Sequence, residues 1–569
     1  MRVYEAIVKG LEGIGVGAAF GGAGENAAGL MVALKHSDRI RPVITRNEQA
    51  ASFMACGYAM YTNRLGFCFA TAGPGAFNLF SGLAVAMSDS YPVLAVSGYS
   101  AMEWRGRGSL NETSGVNRTP DSQAMFSATT KKSFLLTRVA DTCDVLEEAV
   151  NLAFEGRPGP VHIHVPENLT HPGQDVENYR DIRLDVAPVA TTADRVEAVA
   201  TMLADALHRD EPIVALVGFG AVRSGAGPAV RRLIERYQIP LLTTLDGKGI
   251  VDENHPLSVG VFGDSGHSSA WKAFVEAKVV LAIGNAFNQH ATFNYREDLF
   301  KDKTLVHVNI SAAEIDKAYK ADHALVSDAR TAVEAVHAAL EPKVAPLPPR
   351  NVDGRDYERR RILRLPGVLH PGELAQKVGE LLPPRGILLA DAGAHLAWLG
   401  YYVELEEGQN FRKVGSFGPM AGHVNGAIGT KVAHPDRTVV VGCGDGCYNM
   451  SGFELMTAVQ YKIPVIWVIF NDGEFKLIKL YQFQAYHEPA LVEFDNPDYA
   501  AYARACGADG HTVRTIGEFE SAFRAALASG RPTVIDARIT RFAVPHYSPS
   551  PHGVIAGIVD EIEKRFSHD

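Results

Sequence analysis

The stretch Gly442-Cys443-Gly444-Asp445-Gly446-Cys447-Tyr448, followed by the apolar run Pro464-Val465-Ile466-Trp467-Val468-Ile469-Phe470 and then Asn471-Asp472-Gly473, decides how this chain is read. Thr438 to Gly442 is β-branched and apolar and predicts one strand, a helix pattern starts near Tyr448, and the run after Pro464 predicts a second strand. Strands joined through a helix run parallel, so Asp445 and Asn471 fall together at carboxyl ends, where open α/β sheets bind ligands.

The chemistry of those residues names the ligand class. Asp445 offers a hard carboxylate oxygen and Asn471, 26 positions later, a neutral amide oxygen. So sparse an oxygen set suits Mg²⁺, which keeps its other positions for water and substrate phosphates. The neighbouring glycines let the main chain approach closely, and the helix N-terminus adds N–H donors for an anion. A metal-bound diphosphate is the implied ligand.

The pattern occurs twice. Gly73, Gly75 and Asn78 stand 371 positions before Gly444, Gly446 and Asn449, and each set is followed by a helix pattern and a Pro-led strand. Strand, Gly-x-Gly turn, helix and strand are written in both halves, which points to duplication. Pro74 occupies the place of Asp445, so only the second copy carries the metal-binding carboxylate.

These motifs resemble the thiamine-diphosphate signature of the acetolactate synthase and pyruvate decarboxylase superfamily. The resemblance implies an α/β chain of three doubly wound parallel-sheet domains. They are a pyrimidine-binding domain at 1–175, a central Rossmann-like domain at 190–342 and a diphosphate- and Mg-binding domain at 365–540, with 541–569 as a tail that could fold as a lid. Polar, turn-forming linkers are expected near 170–190 and 341–368; within the second, Arg359-Arg360-Arg361 reads as a solvated helix face. The family's metal ligands fall on Asp445, Asn471 and the Gly473 carbonyl, with Asp472 where the family has a second Asn. Gly444, Gly446, Cys447, Glu474 and Phe475 complete this part of the cofactor site.

The resemblance extends to four further segments. Thr45-Arg46-Asn47-Glu48-Gln49-Ala50 resembles the Arg-His-Glu-Gln-Ala segment, with Asn47 in place of His. There the Glu, here Glu48, bonds N1′ of the aminopyrimidine and promotes the tautomer that takes the thiazolium C2 proton; the alternative is a Glu that complements the helix dipole. Asp391-Ala392-Gly393-Ala394-His395 resembles a diphosphate-contacting turn, with His395 as a phosphate donor. In Gly415-Ser416-Phe417-Gly418-Pro419-Met420, the Gly418 carbonyl receives the 4′-amino group and Met420 wedges the cofactor into a bent shape. Gly75 and Asn78 lie on the pyrimidine side, although Asn78 equally reads as a helix cap.

Substrate choice is less legible. Phe20-Gly21-Gly22-Ala23-Gly24-Glu25 resembles a loop facing the reacting carbonyl, with Ala23 in place of Pro, and Glu25 has two readings: a second acid/base group or a cap. The paired histidines of simple decarboxylases are absent around 110–132, and Leu477 stands where those enzymes carry an acid. The expectation is therefore carboligation of a 2-oxo acid or aldehyde through an acyl-anion intermediate. A C–C lyase on a 2-hydroxyacyl-CoA or 1,2-dione and a 2-oxo acid decarboxylase are the alternatives. Arg105, Arg107 and Arg118 read either as a clamp for a substrate anion or as ordinary exposed arginines.

Composition bounds the rest. At 569 residues, 46% hydrophobic and 21% charged, the chain has material for about three domains. A net charge of −10 gives no basic footprint for nucleic acid, and no apolar stretch predicts a membrane span. Six cysteines without Cys-x-x-Cys spacing read as reduced thiols in the cytoplasm, and the turn-flanking Cys443 and Cys447 as packing. Gly218-Phe219-Gly220 is only loosely a dinucleotide turn with no acidic residue seen for a ribose, so a structural central domain is favoured over FAD or ADP binding. In the family the cofactor bridges two subunits, which implies a homodimer at minimum and points to a homotetramer.

Overall fold

The computed structural model describes residues 1–350, 352 and 367–545, and the architecture is three parallel six-stranded sheets flanked by helices. Arg359-Arg360-Arg361 and most of the proposed lid, 546–569, lie outside the described residues. The first sheet holds β1 (Ala18–Gly21), β2 (Arg41–Ile44), β3 (Gly66–Ala70), β4 (Val93–Tyr99), β5 (Ser133–Leu135) and β6 (Pro160–Pro166), in the order 2-1-3-4-6-5. The second holds β7 (Ile213–Val217), β8 (Leu241–Thr243), β9 (Ser258–Val261), β10 (Val279–Ile283), β11 (Thr304–Asn309) and β12 (His323–Val326), in the order 12-11-10-7-8-9. The third holds β13 (Ile387–Ala390), β14 (Asn410–Lys413), β15 (Val439–Gly444), β16 (Val465–Asn471), β17 (Asp509–Val513) and β18 (Thr533–Arg538), in the order 14-13-15-16-18-17.

The first and third sheets share one strand order, and the Gly-x-Gly turns of the internal repeat sit between the same two strands of each, β3 and β4 or β15 and β16. The middle sheet has the dinucleotide-fold order instead, with its switch point between β7 and β10. The runs Val439-Val440-Val441 and Val465–Asn471 are buried on both faces, which is why they are continuously apolar rather than alternating. Hydrogen bonds pair Val439 to Gly444 with Val465 to Phe470 in register, fixing Asp445 beside Asn471.

The first and third sheets meet through two helices, Glu48–Ala59 and Gly422–Ala433. Their backbones touch: a β-carbon on Gly57 would run into the Gly426 carbonyl, and one on Gly429 into that of Met54. Thr430 Oγ1 donates to the Gly57 carbonyl at 3.0 Å across the same crossing. A buried ion pair ties in the middle sheet. The Arg412 guanidinium, on β14, bonds Asp89, Asp246 and the Tyr91 hydroxyl and lies 3.7 Å over the Phe219 ring.

Candidate active site

Asp445 opens the helix Asp445–Ser451 directly from β15, three residues earlier than the sequence pattern suggests, because the strand runs on to Gly444. Its Oδ1 accepts from the Gly446 N–H at 2.8 Å and its Oδ2 from the Gly473 N–H at 2.7 Å. Asn471 ends β16, and its Nδ2 donates to Asp536 Oδ1 at 2.7 Å, which turns the amide oxygen toward Asp445. Asn496, which the sequence reading missed, donates through one Nδ2 to Asp445 Oδ2 (2.7 Å) and Asn471 Oδ1 (2.9 Å). Asn449 and Tyr499 donate to its Oδ1 and fix that orientation. Two oxygens therefore converge on a single donor, the disposition that a small cation needs. The expected third ligand behaves differently: the Gly473 carbonyl accepts from the Phe494 N–H at 3.0 Å, leaving one lone pair for a cation.

A cavity of about 280 Å³ opens beside this pair. Ala392, Gly393, Ala394, His395, Gly418, Met420, Gly444, Asp445, Gly446, Cys447, Glu474 and Phe475 line it, together with Leu477, Thr540 and Ala543. Gly446 has no room for a β-carbon against the Phe475 ring. Gly418 takes φ 65°, a left-handed turn suited to glycine, which brings half-buried Met420 back toward the Gly446 turn. Cys443 and Cys447 are packed thiols, and Cys447 Sγ donates to the Ala392 carbonyl at 2.9 Å.

Electrostatics distinguish the buried groups. Burial pushes the Asp445 carboxyl up from its ordinary range, against the pull of the Gly473, Asn496 and Gly446 donors. It lifts Asp472 to about 7, with Lys476 partly offsetting it. Asp391 accepts four backbone N–H groups, from Ala392, Ala421, His423 and Val424, and so closes the start of the helix Gly422–Ala433. His395 differs from the sequence expectation. Its Nε2 faces the Asp391 carbonyl at 2.9 Å, so that nitrogen carries the proton, and burial lowers its pKa to about 4. The neutral ring spends its one N–H on the main chain rather than offering it to a phosphate.

The first sheet carries the second half of the candidate site. Asn47 caps the helix Glu48–Ala59 by accepting from the Gln49 N–H, and Glu48 Oε2 accepts from Asn78 Nδ2 at 3.0 Å. Asn78 makes no cap for the next helix, Phe80–Asp89. A β-carbon on Gly22 would run into Glu48 Oε1, and one on Gly75 would come 2.8 Å from Thr71 Cγ2 and 3.1 Å from Glu48 Oε1. Glu25 is exposed, in the single 3-10 turn Glu25–Ala27. Glu48, Gly75 and Asn78 do not line the cavity beside Asp445, whose walls all come from residues 371–543. One chain thus presents two separate half-sites. Glu454, also unforeseen, accepts from the N–H groups of Arg46 and Asn47 at 2.9 Å each and anchors the start of the Glu48 helix to the third sheet.

Comparison with known proteins agrees with this geometry. Three models of the thiamine pyrophosphate enzyme match in order: the N-terminal TPP binding domain over residues 1–120, the central domain over 200–336 and the C-terminal TPP binding domain over 391–537. The probable acetolactate synthase large subunit of Methanocaldococcus jannaschii is 30% identical, over 99% of this chain and 96% of that protein. The acetolactate synthase of Arthrospira platensis is 31% identical over 89% and 88%, and the large subunit of Parasynechococcus marenigrum 32% over 88% and 81%. The chain belongs to the thiamine pyrophosphate enzyme family. Within it, this is an acetolactate synthase-like, thiamine-diphosphate-dependent carboligase.

The middle sheet of this family member corrects one reading. An acidic residue does follow the second strand of the dinucleotide order: Asp246, just beyond β8. It borders a cavity of about 470 Å³ at the switch point between Gly218 and Gly284. Its carboxylate is already paired with Arg412 and Lys413; these outweigh burial and hold it below the ordinary range. No helix among the described residues is long and apolar enough to cross a membrane.

Proposed function

We propose that the chain takes a 2-oxo acid such as pyruvate as donor, releases CO₂, and transfers the remaining acyl unit to a second 2-oxo acid or an aldehyde. The observation that carries this reading is the convergence of Asp445 and Asn471 on one point at the rim of a cavity walled by Met420. Those two oxygens, with the free lone pair of Gly473, would hold Mg²⁺, and the metal would hold the cofactor's diphosphate. When bound, thiamine diphosphate supplies the carbon nucleophile and electron sink. Gly446 and the Gly393 turn would make room for the diphosphate, and Met420, on the cavity wall, would support the cofactor's rings. Glu48, kept in place by Asn78, would hold the proton that the cofactor's aminopyrimidine needs. Leu477 puts an apolar side chain at the cavity where a decarboxylase has an acid, which supports passing the acyl unit on rather than protonating it.

The half-sites would meet only between chains, giving a homodimer at minimum and a homotetramer as the expected form. The domains would run 1–175, 190–342 and 365–540. The central one acts as a structural partner, since Asp246 is committed to Arg412.

The decisive experiment is a thermal shift with thiamine diphosphate plus Mg²⁺, paired with a product assay on pyruvate. A stabilising shift and acetolactate formation are expected, and Glu48→Gln should keep the shift while losing on the order of 10²–10⁴ in turnover. A protein that shows neither shift nor product refutes the proposal.

A further inference from the structure

The segment after β4 holds three arginines whose charge the fold leaves unused. Arg105, Arg107 and Arg118 are exposed, and none of their guanidinium groups makes an ion pair or side-chain hydrogen bond among the described residues.

The segment is nonetheless rigidly built. Buried Glu112 accepts from the N–H groups of Gly106 (2.5 Å), Gly108 (2.9 Å) and Ser109 (3.1 Å) and from Ser114 Oγ (2.5 Å). Asn117 Nδ2 donates to the Gly106 carbonyl, tying the residue between Arg105 and Arg107 to the residue before Arg118. Asn117 and Arg118 take φ 50° and 69°, a left-handed pair that this tie holds in place. Of the segment's carboxylates, Glu112 is committed to this network and Asp121 Oδ1 accepts from the Ala124 N–H at the start of the helix Ser122–Thr129, while Glu103 is exposed.

The location is what gives the cluster a role. Asn111, in the same segment, packs on Gly73, where a β-carbon would come 3.0 Å from its own. Gly75, two residues on, adjoins Glu48 Oε1. The arginine segment therefore stands beside the Glu48 half-site.

We infer that Arg105, Arg107 and Arg118 form a subsite for a distal anionic group on the substrate, a carboxylate or phosphonate borne in addition to the 2-oxo acid carboxylate. This rests on the carboligase reading and names its substrate class. A planar guanidinium fork matches both oxyanions, and the Glu112 network fixes the backbone around Arg107, with Asn117 tying the residue before Arg118 to it.

The test uses the full chain with thiamine diphosphate and Mg²⁺, and compares pyruvate, 2-oxoglutarate and 3-phosphonopyruvate. Wild type should favour at least one distally charged substrate over pyruvate in kcat/KM, and the two charged arms show which oxyanion is taken. The triple change to Gln should lower that preference about tenfold, mainly through KM, and steepen no salt dependence. The triple change to Lys, which keeps the charge, should retain part of it. A merely structural role would depress all three substrates alike and overturn the inference, as would an unchanged preference or a changed oligomeric mass with unchanged KM. Turnover of pyruvate without any preference for distal charge defeats this inference alone; no turnover of any substrate defeats the functional reading with it.

Discussion

Asn496 shows what a single side chain contributes beside Asp445 and Asn471. Its amide bridges the two oxygens that a cation would bridge, and it joins the Gly446 and Gly473 N–H groups as a side-chain donor to a carboxylate that burial already disfavours. Removing it leaves buried Asp445 short of a donor, at about 1–3 kcal/mol for the metal-free protein. A bound cation would supply the lost charge, so the penalty should shrink in the loaded protein. Asn496→Ala is expected to lower the apo melting temperature and enlarge the gain on adding Mg²⁺ and thiamine diphosphate, measured by calorimetry. An equal loss in both forms would show that Asn496 is only packing. Asp445 and Asn471 were legible because each stands at the carboxyl end of a strand, beside a glycine-bearing turn. Asn496 was not, since it sits in a loop outside any periodic element and reaches the pair only through the fold. His395 shows the reverse: its place was legible, but its tautomer depends on which carbonyl it meets.

Among the elements, β6 carries an unusual polar pair inside the first sheet. His162 and His164 are fully buried and linked by the Ser97 hydroxyl, with Ser133 and Ser122 on their outer nitrogens. Phe126 stacks on His162 with ring centroids 3.5 Å apart. Burial depresses both, His164 to about 3 and His162 well below its ordinary value. An unfolded chain therefore binds protons that the folded one refuses, so stability is intact above about pH 6.5 and falls as the pH drops toward 3. Each such histidine costs about 1.4 kcal/mol per pH unit in that window. Asp472, raised to about 7, acts in the opposite direction between its ordinary value and neutrality, as do raised carboxyls such as Asp445 and Asp391, while His267, lowered to about 3, and His395, His423 and His434, lowered to about 4, add to the histidine side. Urea midpoints at pH 7 and pH 5 check this, and a higher midpoint at pH 5 would contradict it. The alternation Val161-His162-Ile163-His164-Val165 is the pattern of a strand with one wet face, and its burial on both faces follows only from Ser97 and Ser122 across the sheet.

At the scale of the molecule, the repeat was the most informative thing in the sequence. Gly-x-Gly-x-x-Asn recurring at one spacing foretold two sheets of the same strand order, because a turn, a helix and a strand leave few topologies open. The contacts joining the sheets were not foretold. The Gly57–Gly426 crossing and the Arg412 pair are made between residues more than 150 positions apart, with no local pattern to mark them.

Because Glu48 and Asp445 stand in different places on each polypeptide, two crippled proteins should repair one another. Glu48→Gln and Asp445→Asn chains, each inert alone, would form mixed pairs in which one centre inherits both sound halves and the other both faults. Random reassortment into twofold pairs predicts recovery of about a quarter of the wild-type rate, and recovery of nothing would mean that a centre is assembled within a single chain.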